Sequence, residues 1–413
     1  MGIALLWLIG GLALYFAMML GANDLANSMG TSVGSGALSW RKAILIAAIM
    51  ELAGAVFFGH QVANTLANGL VTPLVLNQSP QVLLMGMVAV LLTCGVGLQW
   101  ANHFGVPVAS SHGIVGALLG FALVVAGTDG INWQKMVFIA GAWLITPVLA
   151  GVMAWLGMRF IYHWIDSQRL IEWLPWLVGV TLAVVGSSLL HAIGGHGNSH
   201  DNGTRWLLVL LWFGSSALAT NYLIPKRHST DIFSQLQIMS AATMAFAHGS
   251  NDVGNAIAPM FIAVKVFWQE NYLTLSRDLE TPTWLLLLGG IGIVLGLIFW
   301  GQRVLSTVGQ DITLITPQTG FVAELAASTT VLMGSALGIP ASSTHALVGA
   351  VIGIGLAQNA QLISNSDTMT TAITPQETNW QLVRQILSAW VLTIPVAVIG
   401  SGLIYRLLSI IKL

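Results

Sequence analysis

The chain has 413 residues, of which 55% are hydrophobic and only 7% are charged, and its formal net charge is −1. Soluble globular domains carry about 25% charged residues, so this composition excludes a water-facing surface over most of the molecule. The near-neutral balance provides no basic patch of the kind that binds nucleic acid, and we expect no nucleic-acid partner.

Apolar segments long enough to cross a bilayer recur along the sequence. A bilayer core of about 30 Å requires about 20 helical residues. The segments are 2–20, 43–63, 83–98, 138–160, 174–190, 207–223, 285–300 and 388–408. The first lacks the positive n-region and cleavage site of a signal peptide, so we expect it to be a span. The single cysteine, Cys94, excludes an intrachain disulfide and is expected to be a small buried hydrophobe.

The first span continues into a polar stretch at 21–39, GANDLANSMGTSVGSGALS. A carboxylate at the bilayer centre costs roughly 2.5–3.5 kcal/mol on insertion scales, so Asp24 requires partners. Glycines alternate here with hydrogen-bonding side chains, and we therefore expect the helix to unwind mid-membrane around a cavity. Thr31 and Ser32 in this stretch are candidate pathway residues.

Two motifs of the first half recur in the second half. GANDLAN at 21–27 returns as GSNDVGN at 249–255, and VPVASSHGIVGALLG at 106–120 returns as IPASSTHALVGAVIG at 339–353. The offsets are 228 and 233 residues, so we interpret the chain as a tandem duplication. The predicted divisions are a first repeat at 1–190, a connection at 191–233 made of a loop, one span and a cytoplasmic linker, and a second repeat at 234–413.

Basic residues predict how the repeats are oriented. Short loops rich in Lys and Arg tend to be cytoplasmic, and such positions occur at 41–42, 159–169, 226–227 and 303. About seven crossings precede residue 226, so the second repeat enters its motif from the side opposite to the first. We predict an all-α polytopic membrane protein with about twelve spans, two inverted-topology repeats, broken helices or hairpins at the midplane, and both termini outside. Inverted repeats are typical of alternating access.

The duplicated Asn-Asp pair indicates an ion site. Side-chain oxygens of Asn and Asp, together with freed backbone carbonyls, suit a hard cation such as Na⁺. Alternatively, each Asp carries a proton or caps a broken helix. The candidate cation ligands are Asn23, Asp24, Asn251 and Asp252. Duplication in both halves places them on an axis between the halves.

The second motif pair indicates an anion site, because hydroxyl residues follow a proline within one turn in both copies. The hydroxyl residues are Ser110, Ser111, Ser342, Ser343 and Thr344, after Pro107 and Pro340. A proline breaks the helix, and hydroxyl and N–H groups at the new helix N-terminus bind anions. Two such ends could face one tetrahedral oxyanion. Neither segment contains Lys or Arg, so a co-bound cation would have to offset the charge, which favours symport.

Further titratable residues lie within the apolar segments: His112, His345, Glu51 and Glu324. The histidines follow the hydroxyl residues in both halves. Their role is open between helix capping or packing, proton coupling and substrate contact. The glutamates do not occupy equivalent repeat positions, and either a place near the pathway or a structural pairing explains them. The histidine-containing loop at 191–205 is interpreted as solvated rather than metal-binding, and a hydrolase would not require duplication of every part.

Together these motifs resemble those of the inorganic phosphate transporter (PiT) family. GANDLANSMGTSVGSGAL and FAHGSNDVGNAIAP look like its paired signatures, and GVPVASSHGIVGALLG and GIPASSTHALVGAVIG are similar to its paired Pro–Ser/Thr–His segments. TGFVAELAAS at 319–328 looks like a further family element. The resemblance covers essentially the whole chain and implies phosphate symport driven by Na⁺ or H⁺. It also implies that the Asn-Asp pairs build ion sites beside the substrate, which Ser110, Ser111, Ser343 and Thr344 would contact.

The sequence therefore predicts a transporter, not an enzyme, that imports inorganic phosphate by alternating access on a Na⁺ gradient, or alternatively a H⁺ gradient. No cofactor is expected, and Na⁺ is the only expected metal. The predicted phosphate contacts are Ser110, Ser111, Ser342, Ser343, Thr344, Asn27 and Asn255. Ala109 and the Ser110-Ser111 pair depart from the usual family pattern, so a sulfate permease is an alternative, and a phosphate sensor is a more distant one. We expect the protein to lie in a plasma or inner membrane with lipid as a partner. Whether it forms a homodimer is left open by the sequence.

Overall fold

The computed structural model describes residues 2–105, 108–164, 172–173, 175–183, 186, 210, 214, 229–268, 281–302, 315–365 and 380–411. Every regular element in these ranges is helical, apart from a single bridge between Val71 and Ile131. The all-α prediction is therefore confirmed for this part of the chain. The predicted span at 174–190 is described at 175–183 and 186, and that at 207–223 only at 210 and 214. The connecting loop at 191–205 lies wholly outside the described residues.

The helices are numbered along the described chain, and a 3₁₀ turn at Gly127–Gly130 follows the sixth. They are α1 (Gly2–Gly34), α2 (Trp40–Phe58), α3 (His60–Asn68), α4 (Pro73–Leu76), α5 (Pro80–Phe104), α6 (Ser110–Ala126), α7 (Trp133–Trp164), α8 (Ser229–Trp268), α9 (Thr283–Phe299), α10 (Pro317–Ala336), α11 (Ser343–Asn365) and α12 (Trp380–Ile411). Pro147, Pro259 and Pro395 lie inside α7, α8 and α12.

Several of these helices are long and apolar enough to cross a membrane, as an integral multi-pass protein requires. Within the described residues five helices meet this condition: Ile3–Gly34, Pro80–Phe104, Ser110–Gly130, Trp133–His163 and Ile386–Ile411. The pair α2 and α3, bent by 56° where they join, forms a sixth candidate, and α9 is a shorter apolar helix. The total of about twelve spans and the outside position of the termini stay predictions.

The helix expected to unwind within 21–36 does not unwind. α1 is helical without interruption to Gly34, and α8 is equally continuous through the second copy of the motif at 249–255. The breaks lie elsewhere, at Gly59 between α2 and α3 and in the non-helical stretch that contains Pro340 before α11. Pro107 lies outside the described residues. The backbone groups of α1 and α8 stay paired within their own helices while the polar side chains of the two helices contact each other, so the backbones need not open.

The two motif helices α1 and α8 run in opposite directions along each other. Ser35, just after the end of α1, donates to Gln237 Oε1 at 2.6 Å near the start of α8. Asp24, earlier in α1, lies 3.4 Å from His248, later in α8. The residue number on α8 therefore rises as that on α1 falls. This arrangement brings the two Asn-Asp motifs to the same depth in the molecule.

Close backbone contacts join the first half to the second in two matching places. A Cβ atom on Gly349 in α11 would collide with the carbonyl oxygen of Pro147 in α7, and one on Gly116 in α6 would collide with that of Ile394 in α12. Gly349 follows Gly116 by the motif offset of 233 residues. Because the obstacle is backbone, no side-chain rearrangement can make room, and glycine is required at both contacts.

We expect Gly349→Val to destabilise the protein by about 1–3 kcal/mol, the usual cost of overpacking a close-packed interior. The matched control is Gly141→Val in α7, where an added Cβ would meet no atom within 4 Å. The measurement is the midpoint of thermal unfolding of the purified protein in detergent. Equal midpoints for the two variants would contradict a close α7–α11 contact.

Candidate functional site

One imidazole lies among three carboxylates at the contact between α1, α2 and α8. His248 Nε2 is 2.7 Å from Asp252 Oδ2 and 3.4 Å from Asp24 Oδ2, and His248 Nδ1 is 3.3 Å from Glu51 Oε1. All four side chains are buried. An imidazolium carries one positive charge, and an uncompensated buried charge is very costly. The three carboxylates therefore require protons or a further cation to be neutralised.

Asparagines of the same motifs hold the two aspartates in place. Asn27 Nδ2 donates to Asp24 Oδ1 at 2.7 Å, and Asn255 Nδ2 donates to Asp252 Oδ1 at 2.9 Å. Residues three apart on a helix share a face, so the Asp-x-x-Asn spacing positions each pair locally. The same hydrogen bond thus occurs in both copies of the motif. Each aspartate keeps its other oxygen directed at His248.

The central groups are close enough to share one ion. Asp24, His248 and Asp252 each offer one ligand atom, and these atoms lie within 4.8 Å of one another. Oxygen ligands stand about 2.3–2.6 Å from an ion such as Ca²⁺, so ligands on opposite sides of it are about 5 Å apart. The carboxylate oxygens suit a hard cation, and the imidazole nitrogen suits a proton. Both of the expected coupling ions therefore match groups in this cluster.

The other asparagine of each motif, Asn23 or Asn251, forms hydrogen bonds to residues close to one of the Pro–Ser/Thr–His segments. Asn23 Nδ2 donates to Asn102 Oδ1 at 2.6 Å, near the end of α5. Asn251 donates to the Ala341 carbonyl at 2.6 Å and accepts from the Ala341 N–H at 3.1 Å. Asn251 also donates to Asp252 Oδ1 at 2.7 Å, so its amide is engaged with protein atoms. It holds the chain before α11 against α8.

The predicted anion contacts gather at the starts of α6 and α11. Ser110, Ser111, Ser342, Ser343 and Thr344 are all buried there. Asn27 Nδ2 donates to Thr344 Oγ1 at 2.8 Å as well as to Asp24, which joins the helix start directly to the carboxylate cluster. Ser342 Oγ accepts from the His345 N–H at 3.3 Å and caps the first turn of α11. In the described part of the chain, the buried Ser111 hydroxyl has no hydrogen-bond partner.

His112 and His345 contact each other between the two halves. Their ring centroids are 4.8 Å apart and the planes are perpendicular. His112 Nδ1 is 3.1 Å from the Trp390 carbonyl oxygen, and His345 Nδ1 is 3.2 Å from the Trp143 carbonyl oxygen. His112 also packs on the Trp143 ring and His345 on the Trp390 ring. These contacts favour packing between α6, α7, α11 and α12 over the other two hypotheses for the histidines.

Glu324 belongs to a second polar cluster rather than to the first. Its carboxylate accepts from the hydroxyls of Thr31 and Ser32 in α1, the latter at 2.6 Å, and from Ser240 in α8 at 2.6 Å. Ser32 lies two turns beyond Asp24, about 12 Å along the helix at 1.5 Å per residue. Glu324 in α10 therefore ties the two motif helices together at a separate level. The predicted pathway residues Thr31 and Ser32 are brought to Glu324.

The sequence prediction missed His248, although it lies within the quoted segment FAHGSNDVGNAIAP. The matching position of the first copy is Leu20, so comparison of the two motifs did not single out the histidine. Its spacing of four residues from Asp252 was the available signal, because residues four apart on a helix are neighbours. Asn102 and Ser240 were also missed, since both lie outside the repeated motifs.

Comparison with known proteins identifies the family to which the chain belongs. The model of the phosphate transporter family matches residues 20–401. The chain belongs to the phosphate transporter family. This confirms the resemblance inferred from the paired motifs. The family and its relatives are transporters or permeases, in line with a protein that is not an enzyme.

Relatives within the phosphate transporter family match the chain over nearly its whole length. A relative from Pyrococcus abyssi is 36% identical over 98% of both chains. The protein of Arabidopsis thaliana named inorganic phosphate transporter 2-1, chloroplastic, is 34% identical over 96% of this chain and 71% of its own. A solved structure described as the sodium-dependent phosphate transporter has a TM-score of 0.85 at 32% identity, covering 99% of this chain and 100% of that one.

We expect His248→Leu to destabilise the protein by about 3–5 kcal/mol, the range for removing one partner of a buried ion pair. The substitution leaves the carboxylates of Asp24, Glu51 and Asp252 facing one another without the imidazole. Adding Glu51→Gln removes one of these charges and is expected to recover part of the loss. The measurement is the thermal unfolding midpoint of the single and double variants.

The matched control for this experiment is His103→Leu, which removes an exposed histidine near the end of α5. We expect it to change the midpoint little, as is usual for surface substitutions. The central role of His248 is wrong if its removal costs no more than that of His103, or if Glu51→Gln makes the His248→Leu protein less stable still.

Proposed function

We propose that this chain is a secondary active symporter that imports inorganic phosphate together with Na⁺ by alternating access between two inverted repeats. The observation that carries the proposal is the Asp24–His248–Asp252 cluster, formed where the two motif helices cross in opposite directions and joined to the start of α11. The solved relative described as a sodium-dependent phosphate transporter supports both the substrate and the ion.

The excess of negative charge in the cluster favours a bound cation. Asp24, Glu51 and Asp252 are buried around the single His248, and the oxygens of both aspartates converge within reach of one ion. Binding Na⁺ there lowers the free energy of keeping the carboxylates ionised in the membrane interior. A proton on the same groups is the alternative, in which case a pH gradient drives uptake. The cluster therefore supplies the ion-coupling element of the proposal.

Asn27 places the proposed phosphate site next to the proposed ion site. Its amide bonds on one side to the Asp24 carboxylate and on the other to Thr344 at the start of α11. The N-terminus of a helix attracts anions through its N–H groups and its dipole. A cation at Asp24 and a phosphate at Thr344 would then be neighbours, and each would reduce the cost of transferring the other out of water. This mutual dependence is the physical basis of symport.

The arrangement of the halves favours alternating access. The opposed directions of α1 and α8 are those expected of inverted repeats, which typically bind substrate at the midplane. The pairs α6–α12 and α7–α11 each join one helix of the first half to one of the second through backbone contact. We propose that each pair moves as a rigid unit while the α1–α8 cluster stays at the axis.

The test is uptake of labelled phosphate and labelled sulfate into proteoliposomes under an imposed Na⁺ or H⁺ gradient. We expect accumulation of phosphate with the Na⁺ gradient, and at least a tenfold lower rate for Asp24→Asn and for Asp252→Asn, because each removes a charge from the ion site. Asp129→Asn, at an exposed position in the 3₁₀ turn, is the matched control and should retain wild-type uptake.

Each alternative has its own outcome in this assay. Accumulation of sulfate in place of phosphate would identify a sulfate permease. Binding of phosphate without accumulation under either gradient would overturn the transporter proposal in favour of a sensor. Wild-type uptake by both aspartate variants would contradict the assignment of the ion site while leaving transport itself intact.

Na⁺ itself should stabilise the folded protein. Ligand that binds only the native state adds about 2.7 kcal/mol of stability at 100 times its dissociation constant, so the unfolding midpoint should rise with Na⁺ concentration. We expect this rise in wild-type protein with NaCl relative to choline chloride, and its loss in Asp252→Asn. Equal midpoints in the two salts, with uptake that follows a pH gradient, would show that the coupling ion is H⁺.

A further inference from the structure

A cavity of about 220 Å³ lies between α1, α5, α6 and α12, and its lining residues include none of the carboxylate cluster. Its walls are almost entirely apolar, and none of its described lining residues is charged. Phe16, Leu98 and Ala397 are among the wall residues. Ser110 also lines it, so the cavity reaches the first residue of α6.

The cavity meets the lipid-facing surface of α12. Two of its lining residues, Leu392 and Val396, are 60% and 66% exposed on this membrane-spanning helix. Exposed apolar side chains in the middle of a span face hydrocarbon, since no water is present at that depth. The mouth of the cavity therefore faces the acyl chains of the bilayer rather than an aqueous phase.

Small residues create this space in the first half, where the second half has larger ones. Gly105 after α5 and Gly338 after α10 both have positive φ, 64° and 67°, and are separated by the motif offset of 233 residues. At that offset Gly97 of the cavity corresponds to Thr330, and Gly113 corresponds to Ala346. A glycine thus stands at two cavity positions where the other half has a side chain.

The larger residues of the second half fill the matching place. Gly349 of α11 meets Pro147 of α7 as Gly116 of α6 meets Ile394 of α12. Residues of α7 and α12 therefore correspond at an offset of 247. By this offset Gly400 in α12 corresponds to Met153 in α7. Thr330 Oγ1 lies 3.8 Å from Met153 Sδ, so two side chains meet where the first half has two glycines. The first half therefore has more room at these two positions than the second.

We propose that this cavity binds an acyl chain of a membrane phospholipid. The apolar wall, the mouth on the lipid side and the lack of charged described lining residues all match a hydrocarbon chain. A chain that enters past Leu392 and Val396 lies against Gly113 and reaches Ser110. The bound lipid thereby packs against the first turn of α6, the helix that carries Ser111 and His112. This binding does not depend on the proposed transport function.

The test uses photoactivatable phospholipid carrying a diazirine in the middle of the acyl chain, in liposomes containing the full-length protein. After irradiation, mass spectrometry locates the adducts. We expect an adduct at Cys94, which lines the cavity but is only 5% exposed, so a lipid reaches it only from within. Cys94 is the single cysteine of the chain, which makes the site of an adduct on sulfur unambiguous.

The variant Gly97→Leu adds a side chain to the cavity wall, at a position where a Cβ meets no atom within 4 Å. We expect at least a fivefold loss of the Cys94 adduct. The matched control is Gly11→Leu on the exposed side of α1, where an added Cβ also meets nothing within 4 Å, and the adduct should be unchanged. Unfolding midpoints check that both variants are folded. If Gly97→Leu does not fold, Gly113→Ala fills less space, with a nearest contact of 3.9 Å to Thr393, and should lower the adduct partially.

Three outcomes would overturn the proposal. The first is a wild-type protein without an adduct at Cys94, and the second is an adduct of equal yield in Gly97→Leu and Gly11→Leu. The third is cross-linking to a second copy of the chain, in place of lipid, when a photoreactive amino acid is placed at position 392, which would mean that protein covers the mouth.

Discussion

Buried carboxylates that outnumber the fixed positive charges around them are the constraint on which the rest of this structure depends. Asp24, Glu51 and Asp252 come from three helices and meet at His248, and all four side chains are buried. Such a group of charges holds together only if ions or protons neutralise it and hydrogen bonds orient it. The helices that carry these residues must therefore pack closely and stay in register, and the asparagine side chains complete the shell.

Two ways of satisfying a carboxylate coexist along the same pair of helices. At Glu324 the surrounding hydroxyls of Thr31, Ser32 and Ser240 donate hydrogen bonds, which stabilise the charge without a cation. At Asp24 and Asp252 the donors are fewer, and each carboxylate turns one oxygen toward the imidazole. The first arrangement fixes α1, α8 and α10 relative to one another. The second leaves these carboxylates with fewer protein donors, so the two groups of carboxylates differ in how completely protein donors satisfy them.

Much of this organisation could be predicted from the sequence, because it depends on composition and on repeated patterns. The low charge predicted a membrane protein, and the recurrence of Asn-Asp and of Ser/Thr-His predicted which residues would meet. Asn27 and Thr344, more than 300 positions apart in the chain, do contact each other. The paired motifs also identified the family. These features follow from local spacing or from duplication, which a single sequence displays.

The features that the sequence did not reveal depend on contacts between distant helices. The expected unwinding of α1 was wrong because the helix keeps its backbone hydrogen bonds while its polar side chains contact residues of α8 and α10, and a sequence gives no indication of that partnership. The separate roles of Glu51 and Glu324 likewise depend on which helices each one faces. The cavity beside Cys94 results from the absence of side chains at Gly97 and Gly113, positions that resemble ordinary helix-packing glycines in the sequence.

The two halves differ at the centre of the molecule in a particular way. His248 of the second half corresponds to Leu20 of the first. Glu51 of the first half corresponds to Ile293 of the second, because Gly249 packs against Glu51 in the way that Gly21 packs against Ile293. Two identical half-length chains would have to carry each of these residues twice or not at all. Within one polypeptide, each half instead contributes one member of an acid–base couple. The departure from symmetry therefore introduces a heterogeneous pair without adding net charge, which a dimer of two identical half-length chains could not do.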